Sequence, residues 1–496
     1  MKKFILAIDQ GTSSTKTLVF DAEGKAIAKG NEALHTYYLE DGFVEQDPEE
    51  IFQNVIQSVK KCLSAFKEKG FGTGDIAGIG ISNQRETFVI WDEAGKPLHP
   101  AIIWQCKRSV AICEQLKGLH EKVKERTGLL MDPYFSATKL IWLFQNNEKV
   151  RSAIQQGKAC FGTIDTWLLY RLTKGKVYAT DHTNASRTLF FNLHTLNWDQ
   201  ELINDYGLKG LQLPGIRSSS SQYGETVLEG LFQEPVPITA MIGDSHAAAF
   251  GEGCFGPGMA KATLGTGCSI LMNTGSKPVP SKSGMVTTIC WSIEGRIDFA
   301  LEGVIVSCGA TIEWLKNQLG LFADSKETEA MANAIADNGG VYLVPAFSGL
   351  GSPHWQMDRR ASITGINFST NKNHIVRAAL ESIPYQIRDV ISAMEMDATL
   401  ELKELMTDGG ITANRFVMQF LTDLLDKRVV TIGMPHVSAL GAAYLAGLTT
   451  GLFPNVETMS RLNTAKFSYM PVAGNKASQY YKGWQQVLGF LDREFY

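Results

Sequence analysis

The first 25 residues alternate short apolar runs with tight polar turns. Residues 4–8 and 17–20 are apolar, whereas residues 9–12 and 21–25 carry the Asp and Gly residues that favour turns. This spacing predicts a β-hairpin at the start of the chain.

A helical periodicity follows the hairpin. Asp47 suits a helix N-cap, Pro48 suits the first helical position, and Glu50 completes the spacing of a capping box. Apolar residues then recur every three or four positions, which predicts an amphipathic helix. These apolar residues are Phe52, Val55, Ile56, Val59, Leu63 and Phe66. Residues 77–82 and 87–91 are predicted to be strands.

The second half repeats this order of elements. Residues 260–264 and 269–272 are predicted strands on either side of the turn at 265–267. A later strand at 404–407 ends in Asp-Gly-Gly, and a helix is predicted to start near Asn414. The repetition indicates two related α/β domains that face a catalytic cleft.

The boundary between the halves is predicted near residues 250–258, where four glycines and a proline cluster. We therefore expect an N-terminal domain over residues 1–252 and a C-terminal domain over residues 258–496. The segment 197–236 has no clear periodicity and is predicted to be an irregular part of the first domain.

Composition agrees with two globular domains, because 496 residues are too many for one ordinary core. The formal net charge of −4 gives no support for nucleic-acid binding. The apolar run before Asp9 is too short for a signal peptide, and no run is long enough to span a membrane. The eight cysteines form no CxxC pair, which favours buried free thiols. We expect a cytoplasmic homo-oligomer that does not insert into membranes.

The turn after the first strand has the composition of a phosphate-binding loop. Gly11 allows close backbone approach, and hydroxyls follow at Thr12, Ser13 and Ser14. Asp9, at the end of a buried strand, is suited to hold Mg²⁺ directly or through water. Lys16 offers a cation. An ordinary solvated hairpin explains this turn about equally well when the turn is taken alone.

A second Gly-Thr turn changes that balance. Gly265 and Thr266 stand at the corresponding place in the second half, where they could hold the phosphates from the other side. The chain has neither a Walker A loop nor a GxGxxG motif, so the sequence provides no support for a P-loop or a Rossmann site.

Asp244 is the candidate general base. Gly243 before it allows a sharp turn, so the carboxylate can project into a cleft near an attacking hydroxyl. The alternative is that Asp244 caps the helix that starts at Ser245, a common role for Asp at such a junction. Both roles can hold together. His246 is assigned no function.

Two longer segments identify the chain as similar to the FGGY carbohydrate kinases. They are residues 134–146, YFSATKLIWLFQN, and residues 362–381, SITGINFSTNKNHIVRAALE. The resemblance covers about residues 3 to 450. Within the family the chain most resembles the glycerol kinases, and the segments that carry this finer likeness are 83–87, 103–106, 132–135 and 183–188.

The resemblance implies the ribonuclease-H-like, actin-type ATPase fold with two domains that close on the substrates. It implies a polyol site lined by Arg85, Glu86, Trp104, Tyr134 and Asp244. It also implies that ATP is held by Thr12, Lys16, Gly265, Thr266, Gly309, Ile312, Glu313, Gly410, Ile411 and Asn414.

The chemistry of the polyol residues is reasonable without the family. Arg85 donates hydrogen bonds and Glu86 accepts them, which suits adjacent hydroxyls. Trp104 and Tyr134 offer apolar faces to the carbon chain. A solvated charged turn at residues 85–86 and plain core packing of Trp104 are the alternatives.

The chain departs from the glycerol kinases at two positions expected to touch the acceptor. Ser245 stands where these kinases commonly have Gln, and Ser269 stands where they commonly have Phe. Both changes predict a larger and more polar pocket. In addition, Pro384 is expected to kink or break the helix predicted at 375–394. No His occurs between residues 223 and 238, where some relatives carry a regulatory phosphorylated His.

These observations predict a kinase that uses ATP and Mg²⁺ to phosphorylate a small polyol, with Asp9 and Asp244 as metal ligands. Glycerol is the default acceptor, and a four- or five-carbon polyol or ketose is the alternative. Outside this class, the chain could be an actin-like ATPase without a small-molecule acceptor or a catalytically silent sugar sensor. The matched polyol residues argue against the ATPase, and the retained Asp9 and Asp244 argue against the sensor.

Overall fold

The computed structural model describes residues 3–462 and 466–491. Its strands are β1 Phe4–Gln10, β2 Ser14–Phe20, β3 Ala26–Ala33, β4 Tyr37–Tyr38, β5 Val44–Gln46, β6 Ile76–Asn83, β7 Phe88–Asp92, β8 Ala101–Ile102, β9 Ala159–Thr163, β10 Ala179–Asp181, β11 Phe191–Asn192, β12 Asn197–Trp198, β13 Gly215–Arg217, β14 Ser220–Thr226, β15 Val236–Gly243, β16 Met259–Leu264, β17 Cys268–Gly275, β18 Val286–Ile293, β19 Arg296–Ile305, β20 Tyr342–Val344, β21 Ser362–Thr364, β22 Glu404–Asp408, β23 Arg428–Ile432 and β24 Lys466–Tyr469.

The α-helices are α1 Pro48–Glu68, α2 Val110–Gln115, α3 His120–Thr127, α4 Ser136–Asn146, α5 Glu148–Gln155, α6 Ile164–Leu172, α7 His182–Ala185, α8 Gln200–Asp205, α9 Asp244–Gly251, α10 Gly309–Asn317, α11 Glu327–Asn333, α12 Lys372–Ala398, α13 Arg415–Leu425, α14 Val437–Thr450, α15 Val456–Leu462 and α16 Ala477–Leu491. Short 3₁₀ helices lie between some of these elements.

Two large mixed sheets repeat one topology, which is the arrangement predicted for the two halves. The first has the strand order β14-β15-β6-β1-β2-β3, and the second has the order β18-β19-β17-β16-β22-β23-β24. In the first sheet β1 pairs antiparallel with β2 and parallel with β6, which pairs parallel with β15. In the second sheet β16 pairs antiparallel with β17 and parallel with β22, which pairs parallel with β23.

Helix α1 covers one face of the first sheet. Its apolar residues Phe52, Val55 and Val59 are buried in one core with strand residues such as Ile8 and Ile79. Fully burying a side chain of this size contributes about 1.5–3 kcal/mol, so this face rather than local helix propensity holds α1 in place.

Helix α14 follows β23 of the second sheet but packs on the first sheet and against α9. The two helices cross closely: a Cβ at Gly441 would lie 1.8 Å from the carbonyl oxygen of Ala247. Only glycine fits at such a distance. The crossing fixes α9, and therefore the position of its first residue, Asp244. Sequence periodicity does not indicate this contact between the halves.

The capping box predicted for α1 is wrong in one part. Asp47 is the N-cap and its side chain accepts from the Glu49 backbone N–H, as expected. Glu50, however, accepts from the backbone N–H of His35 and contacts its ring at 2.7 Å. The nearby segment before β4 therefore competes successfully for the Glu50 carboxylate.

Two further expectations need correction. Pro384 does not break its helix, because α12 runs continuously from Lys372 to Ala398. Most of α12 between Val376 and Met394 is buried, so packing offsets the lost backbone hydrogen bond. The segment 197–236 is less irregular than predicted, since it contains α8 and also β14, which pairs with β15 at the edge of the first sheet.

Within the described residues, no helix combines the length and apolarity that a membrane crossing requires. All eight cysteines are free, and seven of them are buried, which confirms the prediction of free thiols; Cys113 is partly exposed.

Candidate active site

The carboxyl ends of three parallel strands meet at one edge of the first sheet. Gln10 of β1 and Gly243 of β15 both pair with Asn83 of β6. Asp9 directly precedes Gln10 on β1, and Asp244 directly follows Gly243 at the end of β15. Arg85 lies just after the end of β6, the strand between them. Side chains at the carboxyl ends of parallel strands share one edge of a sheet, so this topology gathers residues that are far apart in sequence.

A cavity of about 270 Å³ opens beside this edge, between the two sheets. All of the predicted acceptor residues line it, together with further residues from the second half. The lining comprises Thr12, Arg85, Glu86, Trp104, Tyr134, Asp244, Ser245, Ala248, Lys261, Thr263, Ser269, Asp408 and Ser438.

Arg85 and Glu86 form the turn between β6 and β7. Both are buried, with exposed fractions of 7% and 1%, which excludes the solvated charged turn. Glu86 has a φ of 61°, a left-handed conformation that is uncommon for a residue other than glycine. The Ser136 hydroxyl donates to the Glu86 carbonyl oxygen at 2.7 Å and holds this turn against α4. Such strain is typical of functional sites.

Two residues that the sequence analysis missed neutralise this pair. Glu302 of β19 accepts hydrogen bonds from both Arg85 Nη atoms, at 2.8 and 3.1 Å. Its carboxylate also lies 2.7 Å from Arg187 Nη1. Arg187 Nε donates to Glu86 Oε1 at 2.6 Å. Burial raises the pKa of Glu86, whereas at Glu302 the guanidinium groups of Arg187 and Arg85 outweigh burial and lower the pKa. Two arginines and two glutamates therefore form a buried, balanced cluster.

Trp104 and Tyr134 form the aromatic side of the cavity. Their rings meet edge to face with centroids 5.6 Å apart, and Trp104 Nε1 donates to Thr12 Oγ1 at 2.9 Å. The buried Lys139 donates to the carbonyl oxygens of Pro133 and Tyr134, each at 2.6 Å. Burial lowers the pKa of Lys139 to about 8. Trp104 is only partly buried, so it is not a plain core residue.

Asp244 is the first residue of α9, and the flanking Gly243 occupies the N-cap position. The Asp244 Oδ1 atom accepts a hydrogen bond from the Ser245 backbone N–H at 2.7 Å and lies 3.4 Å from Arg85 Nε. The Asp244 side chain is 39% exposed and lines the cavity. The alternative, that Asp244 caps α9, holds only in part: Gly243 occupies the N-cap position, but the Asp244 carboxylate still bonds the first turn through the Ser245 backbone N–H.

Ser245 and Ser269 are neighbours in the lining of the cavity, and their hydroxyl oxygens lie 3.4 Å apart. Ser269 also lies 3.4 Å from Glu302 Oε1. His246, one residue further along α9, is fully buried, and burial and the charge of Arg85 hold its pKa well below its usual value. His246 is absent from the cavity lining.

Asp9 lies near the end of β1, just before the predicted phosphate turn at residues 11–14. Its cross-strand neighbour is Lys16. Burial raises the pKa of Asp9 to about 6, Lys16 opposes that shift, and the charge of Asp244 adds to it. The two carboxylates are thus close enough to interact. Among the residues that the structure describes, no cluster of three or more His, Cys, Asp or Glu side chains is arranged to hold a metal ion.

The hydroxyl residues of the phosphate turn differ in position. Thr12 lines the cavity, whereas Ser13 is exposed and Ser14 is partly exposed, and neither belongs to the lining. The Gly11 backbone N–H donates to the Ser14 carbonyl oxygen at 3.0 Å, which closes the turn.

The second phosphate turn contacts the start of α10. The Gly309 backbone N–H donates to the Gly265 carbonyl oxygen at 2.9 Å, and a Cβ at Gly309 would lie 2.7 Å from that oxygen. Ile411 approaches the same point, with its Cδ1 3.7 Å from that Cβ position. Thr266 and Gly410 are exposed, so the turns are open to a ligand.

Three of the predicted nucleotide residues have other roles in this structure. Ile312 is buried in the core of the second half. Glu313 accepts from Asn317 and Ser325, and Asn414 caps α13 by accepting from the Val417 backbone N–H. The side chains of Glu313 and Asn414 would have to share or exchange these hydrogen-bond partners to contact a nucleotide.

Four lining residues from the second half were also missed. Lys261 and Thr263 lie on β16, with Lys261 Nζ donating to Thr263 Oγ1 at 2.9 Å. Asp408, paired with Thr263 in the sheet, has a buried Oδ1 for which the described residues supply no hydrogen-bond partner. Ser438 begins α14. Asp408 could have been found, because it precedes Gly409 and Gly410 at a strand end much as Asp9 precedes Gly11.

The chain belongs to the FGGY family of carbohydrate kinases. The model of the family's N-terminal domain matches residues 4–251, and that of its C-terminal domain matches residues 260–450. Membership makes the chain an ATP-dependent phosphotransferase with an alcohol group as acceptor, which confirms the enzyme class predicted from the sequence.

Within that family the chain is similar to glycerol kinases over nearly its whole length. It is 45% identical over 491 residues to the glycerol kinase of Xanthomonas euvesicatoria pv. vesicatoria, covering 98% of each chain. It is 44% identical over 492 residues to the glycerol kinase of Desulfitobacterium hafniense, covering 98% of this chain and 99% of the other.

A solved structure gives the same result for the fold. The crystal structure of Plasmodium falciparum glycerol kinase with ADP superimposes with a TM-score of 0.93 and 35% sequence identity, covering 98% of this chain and 97% of that one. The predicted two-domain fold and the resemblance to glycerol kinases are therefore confirmed.

Proposed function

We propose that this kinase transfers the γ-phosphoryl group of ATP to a terminal hydroxyl of glycerol, forming glycerol 3-phosphate and ADP. The observation that carries the proposal is the cavity in which Arg85, Glu86, Trp104 and Tyr134 surround Asp244. A short polyol needs directional partners for its hydroxyls and an apolar surface for its carbons, and these residues offer both.

The chemistry of the proposed step is simple. The acceptor oxygen forms a bond to the γ-phosphorus while the bond from that phosphorus to the β–γ bridging oxygen breaks, and ADP leaves with the electron pair. The hydroxyl proton passes to the Asp244 carboxylate, which is accessible in the cavity. Arg85 and Glu86 hold the other hydroxyls. Catalysis of this kind is mostly positioning and electrostatic stabilisation.

On the nucleotide side, we propose that the two Gly-Thr turns hold the phosphates, with Thr12 and Lys16 from one half and Gly265 and Thr266 from the other. Open backbone N–H groups in such turns suit phosphate oxygens. Gly309 lies beside the second turn, and the exposed Gly410 has open space where a Cβ would stand, which would allow the close approach of the nucleotide.

We propose Mg²⁺ as the companion of ATP, held by Asp9 and Asp244. The donor set fits, because Mg²⁺ prefers oxygen ligands and usually keeps several waters and substrate phosphates, so two carboxylates suffice. When bound, Mg²⁺ neutralises charge on the phosphates. Asp9 is buried beside the cation of Lys16, and this cation favours the charged carboxylate that a metal needs.

One observation favours a second acceptor. The hydroxyls of Ser245 and Ser269 both line the cavity and lie 3.4 Å apart, so this wall is polar. A four- or five-carbon polyol or ketose could place an additional hydroxyl there, whereas glycerol would leave the wall to water.

A coupled ADP-release assay over glycerol, four- and five-carbon polyols and ketoses tests both acceptors. The proposal expects ATP turnover that depends on glycerol, and the second candidate expects a higher kcat/KM with a longer acceptor. ATP turnover that no polyol or ketose changes would contradict both and would favour an ATPase without a small-molecule acceptor.

A further inference from the structure

Glu302 lies at the centre of the buried charge cluster behind the acceptor cavity. It is 3% exposed and accepts hydrogen bonds from both terminal nitrogens of Arg85, at 2.8 and 3.1 Å. Arg187 lies 2.7 Å from its Oε2. Arg187 also pairs with Glu86, so Glu302 is the carboxylate of this cluster that contacts both arginines.

The two bonds to Glu302 fix the plane of the Arg85 guanidinium. A bidentate pair leaves the group little freedom to rotate. The remaining nitrogen, Nε, then lies 3.4 Å from Asp244 Oδ1. Were the terminal nitrogens released, Asp244, whose carboxylate already lies beside Nε, and the adjacent Glu86 would be available to receive them, because all three side chains line the same cavity. Glu302 therefore keeps Arg85 from engaging the candidate base more fully.

The same carboxylate reaches the opposite wall of the cavity. Ser269 Oγ lies 3.4 Å from Glu302 Oε1 and 3.4 Å from Ser245 Oγ. One buried side chain thus contacts a member of the charged wall and a member of the hydroxyl wall, although Glu302 is not itself part of the cavity lining.

The contact also joins the two halves of the molecule. Arg85 and Arg187 belong to the segment matched by the N-terminal family domain, and Glu302 belongs to the segment matched by the C-terminal domain. We infer that Glu302 is a positioning residue for phosphoryl transfer: its ion pairs across the halves orient Arg85 beside Asp244, so that the acceptor site is complete only when the halves are apposed. This inference rests on the proposed function.

The test is the effect of Glu302→Gln on the kinetic constants for glycerol and for ATP. Glutamine keeps the size of the side chain but removes the charge that both arginines need. Misplacement of a reacting group by about 1 Å can cost ~10²-fold in rate, so kcat/KM for glycerol should fall by about that factor. The KM for ATP should stay within about twofold of wild type, because the hydrogen bonds and ion pair of Glu302 go to Arg85, Ser269 and Arg187, which are not proposed nucleotide residues.

A matched control separates positioning from general stability. Glu381 of α12 is also fully buried and pairs with an arginine, Arg377, at 2.7 Å, but it is absent from the cavity lining. Glu381→Gln should reduce thermal stability while leaving both KM values and kcat per folded molecule unchanged. Glu302→Asp keeps the negative charge but shortens the side chain by one methylene group. If Glu302→Gln does not fold, the same kinetic constants are measured on Glu302→Asp. We expect its kcat/KM for glycerol to fall by about tenfold, between wild type and the full loss.

The outcomes are distinct. Selective loss with glycerol in either Glu302 variant supports the inference. A Glu302→Gln or Glu302→Asp protein that only loses folded fraction, with the glycerol KM and kcat per folded molecule unchanged, overturns it and leaves the proposed function standing. A wild-type enzyme without any acceptor-dependent turnover overturns the proposed function, and the role of Glu302 with it.

Discussion

The residues beside the cavity that are proposed to bind the acceptor and the turns that are proposed to bind the nucleotide differ in how far they are buried. On the acceptor side, Arg85, Glu86, Arg187 and Glu302 are buried and bonded to one another. On the nucleotide side, the turn at Thr266 and the turn at Gly410 are exposed.

This difference indicates two modes of recognition. In the proposed function, the acceptor is bound beside a charge cluster that is already buried and paired, so little side-chain freedom remains to be lost on binding. The nucleotide is proposed to be bound by backbone turns, whose N–H groups suit many phosphate geometries. Changes on the acceptor side should therefore alter specificity and rate, whereas changes on the nucleotide side should alter affinity for ATP or its metal.

The largest effect is expected at Asp244, which borders both sides. Asp244→Asn keeps the shape of the side chain but cannot take up the proton. General-base contributions are typically ~10²–10⁴-fold, so kcat should fall by that order with the KM for ATP little changed. Steady-state kinetics with the best acceptor checks this. Asp92→Asn, in an exposed turn where Asp92 accepts from backbone N–H groups, is the control and should keep wild-type kcat. An Asp244→Asn enzyme with more than half of the wild-type kcat would remove Asp244 from the role.

The next effect concerns the size of the acceptor. Replacing both serines, Ser245→Gln with Ser269→Phe, should raise kcat/KM for glycerol and lower it for a four-carbon polyol. Discrimination between two substrates that differ by one methylene group is worth ~1–3 kcal/mol. The ratio of the two kcat/KM values should therefore change by about 10- to 200-fold. The serines are 3.4 Å apart, so the single changes need not add. If wild type already uses glycerol best and the double variant loses activity on every acceptor, the idea of an enlarged pocket fails.

A smaller and different effect is expected at Asp9. Asp9→Asn removes one charge from the proposed metal environment, so activity should fall and the Mg²⁺ concentration for half-maximal rate should rise together. Loss of a supporting partner alone commonly costs ~10–100-fold in metal affinity. Titration of the rate with Mg²⁺ at saturating ATP and acceptor measures this. Asp21→Asn, in the exposed turn after β2, serves as the control. An unchanged Mg²⁺ dependence in Asp9→Asn would exclude the metal role.

The smallest effect concerns stability. Asp165 is a buried carboxylate that accepts from the hydroxyls of Thr163 and Thr180, and no guanidinium group among the described residues pairs with it. Burial and the charge of Asp181 raise its pKa to about 7. Because the folded pKa is higher than the unfolded pKa of about 4, the folded state binds more protons between those values, and stability falls as the pH rises through that window.

Asp165→Asn should remove this dependence. The contribution of one such group has a limiting slope of about 1.4 kcal/mol per pH unit, so urea unfolding at pH 5 and pH 7 should show a smaller difference in the variant. Equal differences in wild type and variant would show that Asp165 titrates alike in both states. Glu302, whose pKa is lowered by its arginines, behaves in the opposite way.

Local signals in the sequence predicted the elements, whereas the acceptor residues were predicted from the resemblance to the FGGY carbohydrate kinases. The Gly-Thr turns, the strand ends and the Arg85-Glu86 turn can each be seen in a few neighbouring residues. Glu302 could not be found in this way, since its partners are Arg85, 217 positions away in the chain, and Arg187. The same holds for the crossing of α9 and α14, where Gly441 meets Ala247 only through the fold. Charge balance inside a protein is a property of the assembled halves.

Glu50 and Pro384 show the same limit from the other direction. Each has a clear local preference, a capping box for Glu50 and a helix break for Pro384. In both cases tertiary contacts prevail, through His35 at Glu50 and through the buried face of α12 at Pro384. Local patterns therefore predict which elements exist better than they predict which contacts finally form.

The most direct test of the account is to follow where the γ-phosphate goes. Wild-type protein, ATP, Mg²⁺ and glycerol are incubated, and ³¹P NMR measures the products. The account predicts one phosphate monoester of a terminal glycerol hydroxyl for each ADP formed, and little ADP when glycerol is left out. Formation of ADP and inorganic phosphate at the same rate with and without glycerol or any longer polyol would contradict it.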